Sequence, residues 1–217
     1  FANKQFLMVK FMNIKSGNIT RKKVVLILKN VIEESLTFDD AFSKALENQR
    51  SIKLQNKDKA FIYLLSSTVL RYLTQIDNTI DTLLKEPIRK LPSNPKMALR
   101  IGLAQMFVLK TPNHASVNTS VDLAGVKWRG LVNAVMRNIT REEDKYKKIF
   151  NDSLKIPKWL LDRWKTNWPN DYLSFIDCIQ DIHPHIDIAI KKDIEKWQKK
   201  LNAQLLPNDV LRIKESG

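Results

Sequence analysis

The sequence predicts a mainly α-helical protein, an all-α domain followed by a small α+β subdomain. Three observations carry that prediction. Apolar residues recur at helical spacing nearly throughout residues 20–150. Gly and Pro number only 5 and 8 in 217 residues, too few to punctuate a chain of short strands. No alternating strand pattern precedes Pro157, whereas Ile186, Ile188 and Ile190 alternate beyond it.

The opening FANKQFLMVKFMNIK is basic and partly apolar, and Lys4, Lys10 and Lys15 interrupt any signal-type apolar core. Residues 1–19 are therefore expected to form an N-terminal extension. Thr20 can cap a first helix with an apolar stripe of Val24, Leu28, Val31 and Ile32. Arg21, Lys22 and Lys23 would then stand in its first turn, where cations oppose the helix dipole unless phosphate or carboxylate offsets them. A second helix runs from Thr37 to Leu46, with Phe38, Ala41, Phe42 and Ala45 inward. Asn56 can cap a third, carrying Phe61, Leu64, Leu65, Val69 and Tyr72. Ile76, Ile80, Leu83 and Leu84 mark a fourth that stops before Pro87.

The stretch from Leu99 to Arg141 predicts three short helices joined by tight corners. Asn94-Pro95 opens the first, which presents Leu99, Ile101, Met106, Phe107 and Leu109. Thr111-Pro112-Asn113 breaks it and caps the next, which carries Val117, Val121 and Ala124. Gly125 ends that helix. After Trp128-Arg129-Gly130 the third carries Leu131, Val132, Val135 and Ile139. Gly102, Gly130 and Ala134 lack bulk where helices would approach closely. Asn118 and Asn133, set between apolar neighbours, are expected to fix helix contacts through hydrogen bonds.

Charge points to a partner. Formal net charge is +14, and residues 1–157 hold 27 Lys/Arg against 14 Asp/Glu, while residues 158–217 hold 10 against 9. Such a concentration favours nucleic acid or an anionic surface. Composition shifts at the same place, since Trp159, Trp164, Trp168 and Trp197 all follow Pro157. The domain boundary is expected in the lysine-rich stretch between Asp144 and Pro157, with a helical domain over 20–150 and a linker plus small α+β subdomain over 151–217. Within that subdomain a strand at Ile186–Ile190, a helix around Asp193–Leu201 and a strand at Val210–Ile213 are expected. The tryptophans are expected in cores or domain contacts.

Sites of chemistry are few. Cys178 is the one cysteine, which excludes a disulfide framework and fits a reducing cytoplasm. Its neighbours Phe175, Ile176 and Ile179 make it a core thiol rather than a nucleophile. His183-Pro184-His185 with Asp181 and Asp187 lacks a second ligand cluster, so no metal site is expected. No apolar run approaches the roughly 18 residues that span a bilayer, so no membrane partner is expected. The candidate RNA-binding residues are Arg21, Lys22, Lys23, Lys96, Arg100, His114, Lys127, Arg129, Arg137 and Arg141. Arg137 and Arg141 stand one turn apart, so both guanidiniums can project from one side of their helix. Arg100, inside an apolar helix, can instead pair internally, and His114 can be a hydrogen-bonded corner residue.

Three segments carry a family resemblance, namely LRIGLAQMFVLKTPNHASVN, RGLVNAVMRNITRE and IPKWLLDRW. Over about Thr20 to Trp168 the chain resembles the N-terminal part of the bacterial Sun/Fmu-type ribosomal RNA cytosine-C5 methyltransferases, which begin with a NusB-like helical domain. His114 and Arg137 tilt the resemblance toward that branch and away from the free-standing antiterminator. Two departures stand out. Thr119 occupies the place where the family usually has glutamate, and IDIAIKK replaces the family's strand after the tryptophan segment. The resemblance implies an RNA-holding region, with S-adenosylmethionine as cofactor of the full-length protein and two cysteines as its catalytic groups. This chain has no Gly-x-Gly and no Pro-Cys or Thr-Cys pair. No catalytic or cofactor-binding residue, and no methyl transfer, is therefore expected of the chain itself. The expected partners are ribosomal RNA and ribosomal or transcription proteins, with the chain a cytoplasmic monomer. The alternative is a stand-alone NusB-like RNA- and protein-binding module in antitermination or ribosome assembly.

Overall fold

A computed structural model describes residues 2–47, 54–180 and 186–213. These fall into two units, residues 1–157 and 158–217. The first unit is all helix: α1 (Ala2–Ile32), α2 (Phe38–Glu47), α3 (Asn56–Arg71), α4 (Leu73–Asp81), α5 (Ser93–Leu103), α6 (Asn113–Leu123), α7 (Arg129–Arg141) and α8 (Glu143–Asp152).

Helix α5 is the axis of this unit. Met97 through Leu103 are buried without interruption, which is the pattern of a helix enclosed on every side rather than one with a single apolar face. It packs against α1, α4, α6 and α7. Gly102 makes the approach of α6 and α7 possible: a Cβ there would lie 2.3 Å from Ser120 Oγ and 2.7 Å from Met136 Cε. Gly130 and Ala134 do not share that role. Gly130 is exposed, with nothing within 4 Å of where its Cβ would be, and Ala134 is exposed on the outer side of α7.

Past α5 the backbone widens into a π-helical turn at Ala104–Val108, closed by Leu109 N donating to Ala104 O and Thr111 N to Gln105 O. Such a turn turns side chains out of α-helical register. Here it carries the fully buried Gln105. Gly125, at φ 81°, makes the corner between α6 and α7, a conformation that favours glycine.

The start of the first helix differs from the expectation. Thr20 does not cap a helix, because α1 runs through it from Ala2 to Ile32. No proline interrupts the stretch, and Thr20 Oγ1 donates back to Gly17 O at 2.9 Å, a bond that keeps threonine compatible with a helix interior. Arg21, Lys22 and Lys23 therefore lie mid-helix and do not oppose a helix dipole, and residues 2–19 are helical. The first unit ends at Pro157, the end of the stretch Asp144–Pro157. Helix α8 inserts Tyr146 and Phe150 into the core, Phe150 lying 5.8 Å from the Tyr72 ring and 5.5 Å from Phe107.

The second unit holds α9 (Lys158–Asn167), α10 (Tyr172–Gln180), α11 (Ile194–Leu201) and a sheet of β1 (Asp187–Ala189), β2 (Ala203–Leu206) and β3 (Val210–Ile213). The strands pair antiparallel in the order β1-β3-β2. Strand β2 was not legible as Ala-Gln-Leu-Leu, which does not alternate. Its place comes from the hairpin after it, where Asn208 and Asp209 take positive φ, as Asn and Asp tolerate. Ile186 is 62% exposed, outside the inward row. The tryptophans are not core residues either. Trp159, Trp168 and Trp197 are exposed, and Trp164 meets Phe175 edge-on. The described buried apolar residues of this unit are Leu161, Ala203 and Leu211, too small a core to enclose four indoles. Cys178 falls on α10, and the surroundings of its side chain lie outside the described residues, as do Asp181, His183, Pro184 and His185.

The contrast between the two glycines is testable by denaturant unfolding. Gly102→Ala should cost about 1–3 kcal/mol through overpacking, whereas Gly130→Ala should match wild type or gain up to about 1 kcal/mol.

Candidate nucleic-acid interface

The ten candidate residues divide into four held inside the fold and six on its surface. Arg100, on α5, is 5% exposed and makes a two-point pair with Asp77, Nε to Oδ1 at 2.8 Å and Nη2 to Oδ2 at 2.7 Å. Lys96 pairs with Glu33 at 3.0 Å. Glu33 sits below the usual carboxylate range: burial pushes its pKa up, but hydrogen bonds from Ser93 and Lys96 and the charges of Lys96 and Lys29 outweigh that. Lys23 Nζ donates to Ala45 O, tying α1 to α2. These three cations serve the fold and are withdrawn from any interface.

Arg21 is the fourth. Its Nε donates to Gln105 Oε1 at 2.7 Å and its Nη1 to Gly17 O at 2.9 Å, and its guanidinium lies 5.1 Å over the Phe61 ring. Among the described residues it has no carboxylate partner. Burial holds its pKa below the ordinary arginine value. Gln105 Nε2 in turn donates to Thr119 Oγ1 at 3.3 Å. Thr119 thus carries no salt bridge; it joins a hydrogen-bond relay from Arg21 on α1 through the π turn to α6.

Lys22, His114, Lys127, Arg129, Arg137 and Arg141 are exposed. The arginines belong to α7, whose sequence sorts itself by period. Val132, Val135, Met136 and Ile139 face the core, and Arg129, Asn133, Arg137 and Arg141 follow one another at four-residue steps along the outer side. Arg137 Nε donates to Asn133 Oδ1 at 2.9 Å, which steadies its side chain. Arg129 and Arg141 have no partner among the described residues. Lys127 lies 5.7 Å over the Trp128 ring at the preceding corner.

Beside this row lies a cleft of about 720 Å³ bounded by α1, α6 and α7. Its lining includes Asn18, Arg21, His114, Asn118, Asp122 and Asn133. Asn118 and Asn133 are therefore cleft residues, not helix-contact residues: Asn118 is exposed and Asn133 bonds to Arg137. Asn18 and Asp122 escaped sequence reasoning. A signal for Asp122 existed, because His114, Asn118 and Asp122 form a polar row at four-residue spacing between Val117 and Val121. Among the described residues no group of three His, Cys, Asp or Glu could hold a metal ion, and no helix is long and apolar enough to cross a membrane.

A helix buried at the centre of an all-α bundle, with an arginine row on an outer helix, defines a helical module with a surface suited to polyanions. The chain belongs to the NusB family, whose model matches residues 18–141. Among solved structures it is similar to that of a plectonemic RNA supercoil, with TM-score 0.54 and 25% identity over 59% of this chain and 96% of that one. It is also similar to the antitermination factors NusB and NusE in complex with dsRNA, with TM-score 0.53 and 24% identity over 59% and 98%. Curated relatives include ribosomal RNA small subunit methyltransferase B of Cronobacter sakazakii, 28% identical over 139 residues, 61% of this chain and 32% of that protein. The same protein of Proteus mirabilis is 28% identical over 171 residues, 76% and 39%. The chain spans about a third of the length of the curated relatives it matches.

The division of the cations predicts opposite costs. Asp77→Ala, which strands the buried Arg100 charge, should cost on the order of 3 kcal/mol in urea unfolding. Glu86→Ala, at the exposed pair with Lys90, should change stability by less than about 1 kcal/mol.

Proposed function

We propose that this chain is the RNA-holding region of an S-adenosylmethionine-dependent ribosomal RNA cytosine-C5 methyltransferase, acting as a monomer in the cytoplasm. The observation that carries the RNA part is the row Arg129, Arg137 and Arg141 on the outer side of α7, its opposite side locked into the core. Guanidinium is suited to phosphate by its rigid fork of donors, and structured RNA is gripped largely through backbone and shape. At about 1.5 Å per residue, Arg129 stands about 12 Å from Arg137 and Arg137 about 6 Å from Arg141, so the row offers repeated contacts along a phosphate backbone. Lys22, Lys127 and His114 add to it at the rim.

The curated relatives, named ribosomal RNA small subunit methyltransferase B, support the methyltransferase part. S-adenosylmethionine would supply the methyl group, but the described residues do not fit it. The one sheet here is antiparallel and three-stranded, and no glycine stands in its hairpin turn, where a phosphate- or nucleoside-cradling loop would need one. The residues of this chain bind and orient RNA, and no chemical step is assigned to them.

A second reading, a stand-alone NusB-like module that binds RNA and a ribosomal or transcription protein, draws on the near-complete coverage of the NusB structures. The intact mass of the protein from its own cells separates the two, being near this chain's own mass for the stand-alone module and well above it for the methyltransferase.

Binding to a ribosomal RNA helix as a function of salt tests the interface. Replacing Arg129, Arg137 and Arg141 by alanine should lower the slope of log K against log salt by about 2, at 0.7–0.9 per phosphate contact. Lys96→Ala should leave the slope unchanged; an unchanged slope in the triple variant would remove α7 from the interface.

A further inference from the structure

The cleft beside the arginine row is built differently from the row itself. Backbone gripping needs exposed cations, yet the cleft gathers a half-buried arginine, a histidine, three amides and a carboxylate. Asp122 and Asn118 have no partner among the described residues. Asn18 is a further observation, since its side-chain oxygen is buried and lacks a hydrogen-bond partner among the described residues, a state that costs free energy. Arg21, one turn from Asn18 on α1, has bonded partners that are all neutral. The cleft thus holds a guanidinium with no paired anion and a carboxylate, Asp122, with no bonded donor among the described residues.

We infer that this cleft takes a single unstacked ribonucleotide of the bound RNA and prefers a base that carries an exocyclic amino group over uracil. The proposal rests on the RNA-holding reading above. The nucleotide's phosphate answers Arg21 and the imidazole of His114, and its base presents amino hydrogens to the exposed carboxylate of Asp122. Asn118 and Asn133 can donate and accept along the remaining edge. His114 and Asp122 stand two turns apart on α6, about 12 Å along the axis at 1.5 Å per residue, so phosphate and amino group need not crowd one another. The volume of about 720 Å³ lies within the about 300–1,000 Å³ of small-molecule sites. Splayed single-stranded bases, unlike paired ones, expose the edges such a site can read. At position 4 cytosine carries an amino donor where uracil carries a carbonyl acceptor, so a carboxylate facing that position, which only accepts, separates them.

The test uses the chain as it stands with oligocytidine and oligouridine of equal length, fluorescently labelled, by anisotropy across a salt series. These two probes share sugar, phosphate and ring size and differ on the pairing edge. Wild type should bind oligocytidine about tenfold more tightly than oligouridine, the discrimination expected of one good base-edge contact. Asp122→Ala should bring that ratio toward one by weakening oligocytidine, with the salt slope unchanged, and Asn118→Ala should weaken both probes. Both positions are exposed on α6, so folding should persist, as circular dichroism would check. Equal affinities in wild type, or a preference that survives Asp122→Ala, would overturn the nucleotide site alone. Failure to bind either probe or a ribosomal RNA helix would overturn the RNA-holding reading with it.

Discussion

The interaction on which the candidate interface depends is the bridge made by Gln105. A π turn at the end of a wholly buried helix aims this one amide outward between two neighbours, where it accepts from Arg21 on α1 and donates to Thr119 on α6. An amide does this well because it carries a donor and an acceptor in one plane. A carboxylate at position 119 could have neutralised Arg21 directly; threonine cannot. The relay is therefore satisfied in hydrogen bonds and unsatisfied in charge, and the cleft wall keeps a cation without a counterion.

The same logic explains why four of the ten candidate residues are not presented to a partner. Arg100 enters the core only because Asp77 meets both arms of its fork, since an unpaired charge there would be prohibitive. Lys23 and Lys96 are consumed in tying α1 to α2 and to α5. What remains outside is the set that packing cannot use. On α7 the period of the helix turns Arg129, Arg137 and Arg141 away from Val132, Val135, Met136 and Ile139. A rigid, buried inner face holds that row in place, so an incoming strand of phosphates meets an ordered set of donors.

Much of the first unit was legible because apolar spacing reports burial directly. The helices at Phe38, Asn56, Leu73 and Arg129, and the tight spot at Gly102, follow from periodicity and small residues alone. Three things did not follow. The length of α1 was hidden because Thr20 is as compatible with a helix interior as with a cap. The role of Gly130 was misread because lack of bulk does not say which side of a helix a residue faces. The cleft was missed because its residues come from α1, α6 and α7 and only the row His114, Asn118, Asp122 is local. Among the cations, sequence separated Arg100 from the rest, as a charge inside an apolar helix, but could not foresee that Arg21 would be half buried by Gln105 and Phe61. In the second unit β2 is defined by its turn, not by its own residues.

The measurement that bears most directly on the account is photo-crosslinking of the chain to ribosomal RNA, with the crosslinked residues mapped by mass spectrometry. The account predicts adducts on α7 and around the cleft, at Trp128, His114 and the neighbours of Arg129 and Arg137, with none at Lys96 or Arg100. Adducts concentrated instead on α2 and α3, or on the exposed tryptophans of the second unit, would contradict it and move the RNA to another surface.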